Sequence, residues 1–272
     1  MRTPWFKHVL FVAFLLMLSF PALQGWWGWW EEVPLGGAYK VHPKPDWVWG
    51  NWWKTKIQHE TEAYAKQQFG WQPNLVRMHN QYVYEWFGQS PNSSLFLGQS
   101  GYWFEDVYTD AYQGLDYEGR DDVREIVEHL EVIQQELKKR GKAFVFLLAP
   151  SKARYVPEHL PTWCTLGDST NYDVFLQEAA GRKINIIDVN AWFQREKATT
   201  PYPLFPINGT HWTVYGMHKV VDSLLHYLDH VTGYDLPEVV IDSLWTTTDH
   251  QDPDNDIEWM LNMSQPLPHN RL

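Results

Sequence analysis

The stretch Tyr202-Pro-Leu-Phe-Pro-Ile-Asn-Gly-Thr-His-Trp-Thr-Val-Tyr-Gly216 places one imidazole in a glycine-containing loop at the mouth of an amphipathic helix. A histidine so placed is anchored by backbone and open to solvent, which suits a general base better than a core position does. The competing reading of His211 is a residue that only caps or hydrogen-bonds within its loop. Trp212 beside it can wall one side of a pocket and contact substrate. Ser151 and Lys152, at the end of an apolar run, are further candidates for substrate contact. His218, His226 and His230 share the following helix, but a solvated face explains them better than a metal site. With no glycine-rich phosphate loop, His-Glu-x-x-His pattern or calcium loop of standard spacing, the reading assigns neither metal nor cofactor.

Positioning such a histidine needs a framework, and the middle of the chain supplies its pattern. Asp122-x-x-Glu125 reads as a capping box opening a helix to Arg140, with Val123, Ile126, Val127, Leu130, Ile133 and Leu137 as the apolar stripe. Ala143–Ala149 follows as a continuous apolar run of the kind buried on both faces. The pattern repeats as a helix from Tyr172 to Ala180 and a strand from Ile184 to Val189. A third helix from Val214 to Val231 and a short strand from Val239 to Ile241 complete it. Helices alternating with apolar strands predict a parallel α/β sheet, with sites at the carboxyl ends of its strands. Upstream, helices are expected over Thr55–Phe69 and Asn74–Phe87, and a hairpin over Ser94–Phe104 about a Gln-Ser-Gly turn.

Composition bounds the partners. With 22 basic and 33 acidic residues the formal charge is −11, so no basic stripe exists to neutralise phosphates and a nucleic-acid partner is excluded. The single Cys164 excludes an internal disulfide framework. Nine of the 17 tryptophans fall between Trp26 and Trp71, which reads as interfacial anchoring and core filling, or as stacking on sugar rings if the faces are exposed. Arg2 and Lys7 precede the apolar run Val9–Leu18, and Trp26-Trp-Gly-Trp-Trp30 lies where an aromatic belt would. This reads as an uncleaved signal anchor rather than a cleaved signal peptide, with the rest of the chain exported. The expected organisation is an anchor over 1–30, a linker with short helices over 31–90 and an α/β domain over 91–272.

Three motifs in this order carry a family resemblance. Leu97-Gly-Gln-Ser-Gly-Tyr-Trp-Phe104 with Tyr112-Gln-Gly114 resembles the hairpin that opens the SGNH-like domain of the AlgX/AlgJ type. Ala149-Pro-Ser-Lys-Ala-Arg-Tyr-Val-Pro-Glu-His-Leu-Pro161 resembles its proline- and lysine-containing strand end, and Gly209-Thr-His-Trp-Thr-Val-Tyr-Gly216 its histidine motif. The resemblance implies a three-layer, flavodoxin-like parallel sheet flanked by helices. It also implies a Ser-His-Asp triad that acetylates or deacetylates an exported polysaccharide on the periplasmic side of the cell envelope, with His211 as base. A multi-spanning membrane acyltransferase is the implied partner, and no cofactor is implied.

Two departures from the family pattern stand out. The aspartate expected two residues before the histidine is Gly209, so an orienting acid has to come from elsewhere, with Asp188 at a strand end the candidate. The Gly-Asp-Ser turn that follows a later strand in the family is not reached by Leu272, and the sheet reads as incomplete at its C-terminus. Gly167-Asp-Ser169 offers a substitute nucleophile, but the short, weakly apolar 161–166 before it favours a loop that caps the next helix. Loss of the nucleophile leaves open a non-catalytic relative that binds polysaccharide or serves as a scaffold.

Overall fold

A predominantly apolar stretch with one lysine and no carboxylate makes the first helix, α1 (Trp5–Trp27). It is long and apolar enough to cross a membrane by length and composition. The computed structural model describes residues 5–37, 40–48, 50, 52–249 and 253–270. Arg2, part of the basic flank expected before the anchor, lies outside them. The chain divides into two compact units, Met1–Pro91 with Trp259–Pro266, and Asn92–Glu258 with Leu267–Leu272.

The first unit adds α2 (Thr55–Gln67) and α3 (Gln72–Phe87) to α1, close to the expected spans. The stretch between α1 and α2, rich in Pro, Gly and Trp, forms no α-helix or strand among its described residues. Side-chain amides tie the unit together. Asn80 Nδ2 donates to Leu261 O at 2.8 Å, and Gly36 N donates to Asn262 Oδ1 at 2.6 Å.

The second unit opens with the expected hairpin. β1 (Leu95–Leu97) pairs antiparallel with β2 (Trp103–Glu105) through the Gln-Ser-Gly turn, with Phe96 opposite Phe104. A short helix that the sequence reading missed, α4 (Asp106–Gln113), follows directly. α5 (Arg120–Lys139) covers the expected stripe, but its N-terminus corrects the capping-box expectation. The N-cap is Gly119, and Asp121 and Asp122 sit in the first turn, opposite in sign to the helix dipole, as Lys138 and Lys139 are in the last turn.

The parallel pair joins β3 (Phe146–Leu148) to β4 (Ile186–Asp188), with Leu147 opposite Ile187. Between them run α6 (Lys152–Tyr155) and α7 (Asn171–Ala179). Both strands are shorter than expected and half-buried rather than buried on both faces. α5 packs against α7, and Val123, Val127, Val174 and Phe175 form a core with Phe146 and Ile186. β4 runs straight into α8 (Val189–Glu196), and α9 (Val214–Thr232) ends at Gly233, whose φ of 71° only glycine adopts without strain. The expected strand over 239–241 is absent. Val240 is exposed there, with no sheet edge to receive it. The last helix, α10 (Asp256–Leu261), is also new relative to the sequence reading.

The larger core gathers Phe104, Tyr155, Val189, Phe193, Leu204 and Phe205 around the start of α6. Lys152 is sealed among these, at 2 % exposure. Its Nζ donates to Trp103 O at 2.8 Å, Ile207 O at 2.8 Å and Gly209 O at 2.7 Å. All three ammonium hydrogens thus find carbonyl acceptors. The charge also sits 5.4 and 5.3 Å from the ring centroids of Tyr102 and Phe104. Burial pushes its pKa well below the ordinary lysine value, and the negative charge of Asp256 opposes that shift. We expect Lys152→Met to lose roughly 3–5 kcal/mol of unfolding free energy in denaturant titration, because buried carbonyls lose their donor. Lys152→Arg should not restore it, since a planar fork cannot reach three carbonyls set for an ammonium. A loss under about 1 kcal/mol for Lys152→Met would contradict this role.

Candidate active site

His211 ends a loop whose backbone is fixed from several sides. Ile207 O, already held by Lys152, also accepts from Trp103 N at 3.0 Å, and Asn208 O accepts from Glu258 N at 3.1 Å. Ile207 N donates to Asn270 Oδ1 at 3.1 Å, and Asn208 Nδ2 donates to Pro268 O at 2.8 Å. His269 Nε2 lies 2.6 Å from Glu258 Oε2, both groups being buried. On the other side of the histidine, Thr213 caps α9 by accepting from Gly216 N at 3.1 Å. An exposed imidazole on a loop this constrained has little freedom to wander.

The orienting acid is Asp256, the first residue of α10. His211 Nδ1 lies 2.5 Å from its Oδ2. Its Oδ1 accepts from Thr210 N at 2.7 Å and from Ile257 N at 2.8 Å. A carboxylate locked by two backbone donors is a rigid acceptor for Nδ1–H, which leaves Nε2 with its lone pair outward. The histidine side chain is 58 % exposed and the aspartate 20 %, and Nε2 has no hydrogen-bond partner among the described residues. The arrangement has the geometry that a general base requires, an imidazole held at Nδ1 with Nε2 open.

Packing at Gly209 accounts for the departure seen in the sequence. A Cβ at that position would lie 2.6 Å from Asp254 O and 2.7 Å from Pro206 Cγ. The segment that brings Asp256 to the imidazole fills the space where a side chain on residue 209 would begin. Any larger residue at 209 has to displace that segment, so Gly209 and Asp256 belong to one arrangement.

The other expected site residues separate. Asp188 is not the partner of His211. Its carboxylate accepts from Tyr172 Oη at 2.8 and 3.0 Å and from Ala191 N at 3.0 Å, where it caps α8. Ser169 is exposed and precedes Thr170, the residue that caps α7, so its surroundings are those of a loop. Lys152 is a correction: buried on three carbonyls, it offers nothing to a substrate. Ser151 is half-buried and donates from its N–H to Asn190 Oδ1 at 2.8 Å. It lines a cleft of about 320 Å³ with Leu148, Tyr108, Tyr112 and Tyr172, at the carboxyl ends of the parallel strands. Trp212 is half-buried against the core, its ring edge-on to His211 at 6.5 Å between centroids.

Sequence reasoning missed Asp256 and Glu105. Asp256 lies 45 residues beyond the histidine, and its only local signature is an acidic residue opening a short helix. Glu105 ends β2 close to the pair. Burial raises its carboxyl above the ordinary range, as do the charges of Asp256 and Asp106, while a hydrogen bond from the Thr210 side chain and the His211 charge oppose this. A raised folded-state value means a contribution that is complete below the unfolded value of 4.5 and lost as pH rises through the folded one. Glu105→Gln should therefore raise the melting temperature near pH 7, with the gain shrinking to nothing below about pH 4.5. Melting curves from pH 4 to 8 that show a flat or inverted difference would count against this account.

The profile of the SGNH hydrolase-like domain of the acetyltransferase AlgX matches residues 98–250. Among solved structures, the O-acetyltransferase domain of Pseudomonas putida AlgJ is similar at 21 % identity and a TM-score of 0.41, covering 53 % of this chain and 50 % of that one. Bacillus cereus PatB1 is similar at 15 % identity and a TM-score of 0.41, covering 56 % and 48 %. The chain thus spans about half the length of the solved structures it matches. No curated protein matches its sequence. With more than half of its residues under that profile, this chain belongs to the SGNH hydrolase-like domain family of the acetyltransferase AlgX.

Proposed function

We propose that this chain is an exported, membrane-anchored protein of the O-acetyltransferase or acetylesterase type that acts on a cell-surface polysaccharide. The observation that carries the reading is the His211–Asp256 pair at 2.5 Å with Nε2 left open. A hydroxyl brought to Nε2 gives up its proton to the ring as its oxygen attacks the carbonyl carbon of an acetyl ester. The tetrahedral oxyanion collapses, the ester C–O bond breaks, and the departing oxygen takes the proton back from the imidazolium. Asp256 holds the ring and stabilises its positive charge without itself taking the proton. The hydroxyl is a serine in the family pattern, or that of the acceptor sugar in a single direct transfer. Trp212, beside the imidazole, and Ser151, in the separate cleft at the strand ends, stand as substrate contacts.

α1 serves in this reading as the signal anchor, with the tryptophans after it at the membrane surface and the α/β unit on the periplasmic side. The pair β3–β4 is then the nucleus of a three-layer, flavodoxin-like sheet, and a multi-spanning membrane acyltransferase is the source of acetyl groups. One observation favours a second reading, a relative that binds polysaccharide without chemistry. No hydroxyl among the described residues hydrogen-bonds His211 Nε2.

Acetyl-ester turnover by the full chain separates the two. On p-nitrophenyl acetate and acetylated oligosaccharides, His211→Ala and Asp256→Asn should each lower kcat/KM by roughly 10²–10⁴-fold. A wild-type rate equal to that of either variant, with glycan binding retained, would sink the catalytic reading and leave the second.

A further inference from the structure

The start of α9 forms one wall of a second cleft, about 310 Å³ in volume, that the acetyl-transfer geometry does not use. Its floor is aromatic. The rings of Tyr202 and Tyr215 meet edge to face at 5.0 Å between centroids. Trp245 lines the cleft with 76 % of its surface exposed, so its indole face is free to be covered. The polar lining consists of hydroxyls on Thr213, Ser243, Thr246 and Thr247, together with His218 and Asp254. Thr213 is engaged, donating to Pro203 O at 2.8 Å, and Asp254 Oδ1 accepts from Val214 N at 3.2 Å. His218 is different: its Nε2 is buried with no hydrogen-bond partner among the described residues. Leaving such a nitrogen unpaired is unfavourable, and a ligand hydroxyl that displaces the side chains covering it would relieve this.

Flat aromatic faces beside hydroxyls and one unpaired imidazole nitrogen suit a sugar ring, which has apolar C–H faces and a hydroxyl rim. The charge of the lining narrows the kind of sugar. Among the described residues no arginine or lysine lines the cleft, and the one carboxylate in the lining is Asp254. Lys219, whose ammonium lies 5.8 Å from the Tyr215 ring centroid, is paired with Glu196 at 3.2 Å. A uronic acid placed here would bring a carboxylate toward Asp254 with no free cation to meet it, and the formal charge of −11 would repel a polyuronate from a distance. Resting on the reading of the chain as a polysaccharide-acting protein, we propose that this cleft is a binding subsite for a neutral hexopyranose unit. The glycan it recognises is then an uncharged polysaccharide and not a polyuronate.

The test is titration of the full chain with size-matched oligosaccharides, followed by tryptophan fluorescence and calorimetry. The panel comprises neutral gluco-, manno- and N-acetylglucosamine hexamers and an oligouronate of equal length, at low and moderate salt. At least one neutral hexamer should bind and perturb indole emission, and the oligouronate should not. Trp245→Ala, at an exposed position that folding does not depend on, should weaken the neutral ligand roughly tenfold. Thr246→Arg should admit the oligouronate. Binding of the oligouronate by the wild type as tightly as any neutral hexamer overturns the proposal. So does failure of every neutral hexamer to bind, or an affinity that Trp245→Ala leaves unchanged. Turnover of p-nitrophenyl acetate is read separately. Turnover without neutral-glycan binding removes this subsite alone, whereas neutral-glycan binding without turnover removes only the catalytic reading.

Discussion

A single buried ammonium sets the geometry on which the rest of the α/β unit depends. Lys152 joins the hairpin strand at Trp103 to the histidine loop at Ile207 and Gly209 through three hydrogen bonds of 2.7–2.8 Å. These carbonyls lie 49 to 57 residues from Lys152 in sequence; Trp103 belongs to a two-stranded hairpin and the histidine loop to no strand. Short strands and long loops leave many backbone groups without ladder partners, and a buried cation with three donors satisfies several of them at one point. The charge makes the bonds stronger and makes their loss costlier, because nothing in the surrounding core can solvate it.

From that point the site is assembled by loop-to-loop contacts rather than by strand ends alone. The histidine loop is held by Lys152 on one side and by the segment 254–270 on the other, through Glu258 N, Pro268 O and Asn270 Oδ1. The same segment delivers the carboxylate that orients His211. The absence of a side chain at Gly209 is part of this delivery, since a Cβ there would collide with Asp254 O. An acid contributed from elsewhere in the chain thus stands where the family pattern has one two residues upstream. The physical requirement is only a fixed carboxylate at Nδ1, and it is met from a different place in the sequence.

Much of this unit is legible from sequence where the signal is local. The stripe of α5, the strand–helix repeat through β3, α7 and β4, the long α9 and the hairpin with its Gln-Ser-Gly turn all follow from periodicity and turn chemistry. The failures fall where local signals are short or ambiguous. α4, α8 and α10 have six to eight residues each, too few for a periodic stripe to show against background. Val239-Val240-Ile241 has strand propensity but meets no partner strand, and propensity without a partner does not make a sheet. Lys152 at a strand end reads as a substrate contact, and its burial has no local signature because lysine is so seldom fully buried.

Sequence alone picked out His211 as a candidate, its loop, the helix that follows and the family, because each rests on residue types at fixed short spacing. Only the tertiary structure decided that Asp256 and not Asp188 orients the imidazole, that Lys152 is a clamp, and that Tyr202, Tyr215 and Trp245 share a cleft. Those choices depend on which distant segments the packing brings within 3 Å of one another. No pattern of neighbouring residues encodes that distance; it emerges only once buried polar groups have found their partners.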